Sequence, residues 1–89
     1  MKFEVFYTKE ALSNLEKLDA IVARRIITKM RYFVDQRDPM SYAKPLNGVH
    51  KNLFRFRIGD YRVLFTKDLK GILVLMTIIR IQHRKDVYE

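Results

Sequence analysis

The sequence predicts an α+β domain of order β-α-α-β-β-β, with a two-helix hairpin packed on one face of a mostly antiparallel four-stranded sheet. Three observations predict it. Residues 53–66 alternate about Gly59-Asp60, residues 20–34 carry apolar side chains at helical spacing, and residues 72–79 form an apolar run rich in β-branched residues. At 89 residues the chain is expected to be one domain, 1–89, near the small end of what folds around a single core.

The first strand is expected over Lys2–Tyr7, which is rich in β-formers and alternates in part. Thr8 then suits a helix N-cap, and Glu10 complements the dipole in the first turn. Ala11, Leu12, Leu15 and Leu18 recur at helical spacing, giving a short helix from about Lys9 to Lys17. Asp19 suits a second N-cap. Beyond it Val22, Ala23, Ile26, Ile27, Met30, Phe33 and Val34 form one stripe, with Arg24, Arg25, Lys29 and Arg31 on the other faces. That helix should stop near Gln36, because Asp38-Pro39 cannot comfortably continue it. Residues 37–52 hold both prolines and Asn47-Gly48, and read as loop with at most a short bridging turn.

With Gly59 and Asp60 as a two-residue turn, the hairpin register follows. Ile58 faces Tyr61, Arg57 faces Arg62, Phe56 faces Val63, Arg55 faces Leu64 and Phe54 faces Phe65. One face is then apolar (Phe54, Phe56, Ile58, Tyr61, Val63, Phe65) and the other carries Arg55, Arg57 and Arg62. Directly opposed like charges destabilise a ladder. A polar solvent face would account for arginine here, and so would an anionic ligand. The last strand, residues 72–79, should lie centrally, buried on both faces. If residues 68–71 form a four-residue turn, Thr77 lies opposite Arg62 and His83 continues on the arginine side; a slip of one residue would reverse those faces.

Composition narrows the chemistry. The 48% hydrophobic content, six Phe and five Tyr belong to a globular chain. Without cysteine there are no disulfides, zinc-thiolate sites or cysteine nucleophiles, which suits a reducing, cytoplasmic setting. No secretory leader is legible, and 72–79 is far shorter than the ~20 residues of a membrane span, so no membrane partner is expected. Net charge is +8 and points to a polyanionic partner. His50 and His83 lack metal-site spacing, the glycines form no phosphate loop, and no carboxylate pair or nucleophile elbow is evident. No metal and no cofactor is expected. The arginines, lysines, His83 and Tyr88 that remain suit metal-free cleavage of RNA. RNA brings its own 2′-OH nucleophile, and the protein need only orient it, move protons and stabilise a charged phosphorane.

Two motifs, Phe54-Arg-Phe-Arg-Ile-Gly-Asp-Tyr-Arg-Val-Leu-Phe65 and His83-Arg-Lys-Asp-Val-Tyr88, resemble the hairpin and tail signatures of the RelE/ParE superfamily of toxin–antitoxin toxins. Leu46-Asn-Gly48 resembles the short motif that commonly precedes the hairpin. The resemblance implies a microbial-RNase-like sheet and an endoribonuclease that cuts mRNA, in many members in the ribosomal A site. The products it implies are a 2′,3′-cyclic phosphate, or the 3′-phosphate to which it hydrolyses, and a 5′-OH. By this resemblance Arg62 stabilises the phosphorane, Tyr88 stacks on or orients the scissile nucleotide, and Arg55 binds the backbone and helps activate the 2′-OH. Arg57, Arg80, Arg84, Lys85 and Lys51 are the expected phosphate-binding residues. Where part of the family has a tail arginine as leaving-group acid, this chain has Gln82. His83 is the better candidate, with Arg80 or Arg84 as fallback. Leu53 also replaces a basic residue. The implied partner is an acidic, partly disordered antitoxin. Two other functions stay open: a ParE-like gyrase poison, and a non-catalytic binding member.

Overall fold

The structure is a computed structural model that describes residues 2–46 and 52–86. It contains β1 (Lys2–Tyr7), α1 (Lys9–Glu16), α2 (Ala20–Val34), a 3-10 turn (Pro39–Tyr42), β2 (Lys44–Pro45), β3 (Leu53–Ile58), β4 (Tyr61–Lys70), β5 (Leu73–His83) and a final 3-10 turn (Arg84–Asp86). The sheet order is β1-β5-β4-β3-β2, with β1 parallel to β5 and the other pairs antiparallel. The helices cover one face. The sheet has five strands rather than the expected four, because two residues of the proline-containing segment pair with β3. So short a bridge leaves no periodicity to read.

Both N-caps form as expected. Thr8 Oγ1 accepts from the Ala11 N–H at 3.2 Å, and Asp19 Oδ1 accepts from the Ile21 N–H at 2.9 Å. Each satisfies a donor that the first helical turn leaves open. The hydroxyl of Thr8 also donates to the Ile79 carbonyl, tying α1 to the central strand. Beyond the end of β1, α1 takes over the edge of β5, where Asn14 Oδ1 accepts from the Ile81 N–H at 2.9 Å.

The core lies between helices and sheet. Ala11, Leu15, Ile26, Met30 and Phe33 from the helices meet Phe56, Ile58, Val63, Phe65, Met76, Ile78 and Ile81 from the strands. Phe33, Phe56 and Phe65 stack in a row, with centroid separations of 4.6 and 4.7 Å and interplanar angles of 17° and 16°. Aromatic pairs in this range add roughly 0.5–1.5 kcal/mol beyond their burial.

The β3–β4 register is the expected one at every pair from Ile58–Tyr61 to Phe54–Phe65. Gly59 has φ +59°, the left-handed backbone that the tight hairpin turn requires and that glycine adopts without strain.

The β4–β5 register departs from expectation in two steps. The second turn is Gly71-Ile72 rather than residues 68–71, since Lys70 pairs with Leu73. This moves the partner of each residue by an even number, so the faces stay as expected near the turn. A β-bulge then inverts them: Phe65 pairs with Ile78 but Leu64 pairs with Arg80, leaving Ile79 extra. Thr77 therefore lies opposite Thr66, and Gln82 lies opposite Arg62. The physical reason is polarity. Without the bulge, Arg80 and Gln82 would follow Val74, Met76 and Ile78 onto the helix-covered face, and Ile81 would point outward. With it, Ile81 is buried and Arg80 is exposed. β5 is central as expected, but only its Val74, Met76 and Ile78 side is fully buried; Leu73, Leu75, Thr77 and Ile79 are half-covered.

Candidate functional site

The uncovered face of the sheet gathers cations at the Gly59 end. Arg57 and Arg62 are direct partners across β3 and β4, and Arg55 lies on the same face, two residues further along β3. Burial, and after it the charges of Arg62 and Arg57, pull the Arg55 guanidinium below its usual value. Guanidinium nonetheless stays charged in proteins. Lys44 of β2 stands opposite Arg55 and adds a fourth positive group to the face. Sequence reading missed Lys44 because its segment read as loop.

The tail adds two more. After His83 the chain turns through Arg84–Asp86, and a pocket of about 360 Å³ is lined by Arg57, Arg62, Arg84 and Lys85. The Arg84 N–H donates to the Asp60 carbonyl at 2.8 Å, and the Arg84 side chain pairs with the Asp60 carboxylate at 3.5 Å. Asp60, expected only as a turn residue, thus anchors the tail to the hairpin tip. The pocket lining holds four cations and, among the described residues, no histidine or carboxylate. Such a lining can grip phosphate oxygens in fork geometry and stabilise negative charge that builds up on them.

His83 is not where it was expected. It pairs with Tyr61, and the two rings meet edge to face at 5.1 Å, on the helix-covered side. It lines a separate pocket of about 360 Å³ that Val22, Arg25 and Ile26 of α2 close from one side and the hairpin tip, Ile58 to Tyr61, from the other. The bulge at Ile79 carries it there. Arg80 returns to the open face, but its Nε–H donates to Glu10 Oε2 of α1 at 2.8 Å, and it does not line the arginine pocket. Gln82 occupies the open-face position opposite Arg62, and Leu53 stands opposite Thr66 on the same face. Tyr88, Lys51 and the Asn47-Gly48 part of the pre-hairpin motif lie outside the described residues.

The family model for the ParE toxin of type II toxin–antitoxin systems matches residues 5–88. The chain belongs to this family. Within the wider RelE/ParE superfamily the toxin is 30% identical over 88 residues to Toxin RelG of Mycobacterium tuberculosis, covering 99% of this chain and 98% of that one. Its fold is similar to the toxin in the RelBE2 toxin–antitoxin complex of Mycobacterium tuberculosis (TM-score 0.72, 26% identity, 94% and 100% of the two chains). It is also similar to the YoeB/ParE toxin from Agrobacterium tumefaciens (TM-score 0.67, 20% identity, 93% and 98%). The archaeal RelE-RelB complex from Pyrococcus horikoshii matches with TM-score 0.67 and 22% identity over 98% and 100%. At 20% and 22% identity the last two likenesses speak for the fold alone. They agree with the two helices on a mostly antiparallel sheet described above.

Proposed function

We propose that this toxin is a metal-independent endoribonuclease that cleaves mRNA, in the ribosomal A site, and so blocks translation. The observation that carries the reading is the pairing of Arg57 with Arg62 on the open face, joined by Arg84 and Lys85 in one pocket and flanked by Arg55. Opposed like charges cost stability, and a bound phosphodiester would offset that cost. In this reading the substrate 2′-OH gives up its proton to water as its oxygen attacks phosphorus, the P–O5′ bond breaks, and a 2′,3′-cyclic phosphate and a 5′-OH result. Arg62 and Arg57 bind the non-bridging oxygens as charge accumulates there. Arg55 helps by holding the 2′-OH and the adjacent backbone. Among the described residues the pocket lining holds no histidine or carboxylic acid, and in this reading the leaving oxygen takes its proton from water. Electrostatic stabilisation then carries the acceleration, at roughly 3–4 kcal/mol for a well-placed donor.

The partner in this reading is a cognate acidic antitoxin; relatives of the same fold are found in toxin–antitoxin complexes. An acidic chain would neutralise the +8 surface. The test is to add the protein to a translating extract and map RNA ends by primer extension. New 5′-OH ends within codons, absent with Arg62→Ala, are expected.

A second reading, gyrase poisoning without RNase activity, is favoured by the turn of His83 away from the arginines and by the ParE family match. Intact mRNA together with accumulating cleaved gyrase–DNA complexes in the same extract would select it over the first.

A further inference from the structure

We infer that His83 is a positioning residue: its Nδ1 and the Asp60 carbonyl form a two-point latch that holds Arg84 and Lys85 beside Arg57 and Arg62. The inference rests on the proposed function only in taking that pocket as the RNA-binding one. The latch is visible in the backbone. The Arg84 N–H donates to the Asp60 carbonyl at 2.8 Å, and the Lys85 N–H donates to His83 Nδ1 at 3.0 Å. The two successive amides of the turn are therefore fixed, one to the hairpin tip and one to the end of β5. His83 is itself held by its ladder pairing and by its edge-to-face packing on Tyr61.

Such a device has a purpose here. Arg84 and Lys85 must be brought toward Arg57 and Arg62, which repel them, and a short exposed turn would relax away from like charges unless its backbone were tied. Two directional hydrogen bonds fix the backbone of the turn, beside the Asp60 carboxylate that pairs with the Arg84 side chain at 3.5 Å.

The same hydrogen bond sets His83 apart from the role of leaving-group acid, since its Nδ1 is already engaged by the Lys85 amide. Its ring also lines a different pocket from the one it would have to serve.

The test compares His83→Leu with His83→Asn, whose amide oxygen stands close to the Nδ1 position and can still accept. Thermal melts establish that both are folded. Affinity for a fluorescent 2′-O-methyl oligoribonucleotide, which lacks the nucleophile, is measured across a salt series, and cleavage of mRNA in the translating extract is measured alongside. His83→Leu should weaken binding about 10-fold and flatten the salt dependence, at about 0.7 in the log–log slope for each phosphate no longer engaged. His83→Asn should restore most of both binding and cleavage. Hydrogen exchange at the Lys85 amide of the free protein should accelerate in His83→Leu and be protected again in His83→Asn. Normal binding by His83→Asn with cleavage abolished would make His83 a proton donor and overturn the inference. So would unchanged Lys85 exchange in His83→Leu. If wild-type protein neither binds the oligonucleotide nor cuts mRNA in the translating extract, the RNA reading falls, and the Lys85 exchange still decides the latch.

Discussion

The two faces of the sheet are built from the same strands and solve opposite problems. On the helix-covered face Phe56, Val63, Phe65, Met76 and Ile78 are fully buried, and Phe56 and Phe65 continue the ring stack begun by Phe33 of α2. On the open face of the same hairpin, Arg57 meets Arg62 and Arg55 is partly desolvated beside both. The first arrangement gains from burial at ~25 cal/mol per Å². The second has only repulsion to offer in the free protein. A ladder that keeps such pairs is stabilised from behind, and the aromatic face supplies the surplus that the arginine face consumes. On the proposed function, stability and activity are separated by the pleat, one residue apart along each strand.

The contrast can be broken from either side. Phe56→Ala removes the middle ring of the stack and should cost about 3–5 kcal/mol, enough to unfold much of so small a domain; urea or thermal melts would show it. Arg62→Ala should do the reverse. Cleavage in the extract is expected to fall by about 10²–10³, while the melting temperature stays level or rises. Loss of fold in Arg62→Ala would contradict the division of labour between the faces.

A gentler change sharpens the contrast. Arg57→Thr removes one member of the opposed pair and leaves a good strand former, so stability should increase by roughly 0.2–1 kcal/mol. Salt should stabilise the wild type more than this variant, because screening relieves the same repulsion.

The smallest expected effect concerns Tyr7 at the edge of the covered face. Burial raises its phenol above the ordinary value of 10.0, with the charge of Arg31 opposing. The folded chain therefore keeps this proton to higher pH than the unfolded one. Its contribution is fully present below the unfolded value and is lost as the pH rises through the folded one. The slope stays below the ~1.4 kcal/mol per pH unit of one whole proton, because the ring is only half-buried and solvent screens it. Tyr7→Phe should remove that part of the alkaline slope in melts run from neutral pH to above the phenol's ordinary value.

What the sequence determined by itself was everything local. Two side chains that can cap, Thr8 and Asp19, begin the helices where their oxygens meet open backbone donors. A glycine able to take φ +59° sets the first hairpin, and period-two alternation then fixes which arginines share a face. The tertiary structure decided where strands meet at long range. The pairing of β2 with β3 sets Lys44 opposite Arg55, and the two residues of β2 have no pattern of their own. The hold of Glu10 on Arg80 spans 70 positions of sequence. Most consequential is the bulge at Ile79. Its trace is present in the break of polarity at Arg80, but only packing against the helices decides that Ile81 turns inward, and with that choice His83 crosses the sheet. A side chain's face depends on the summed register of every residue between it and the nearest fixed turn. The arginines lie close to theirs, within the hairpin itself, whereas His83 lies a bulge and a full strand away.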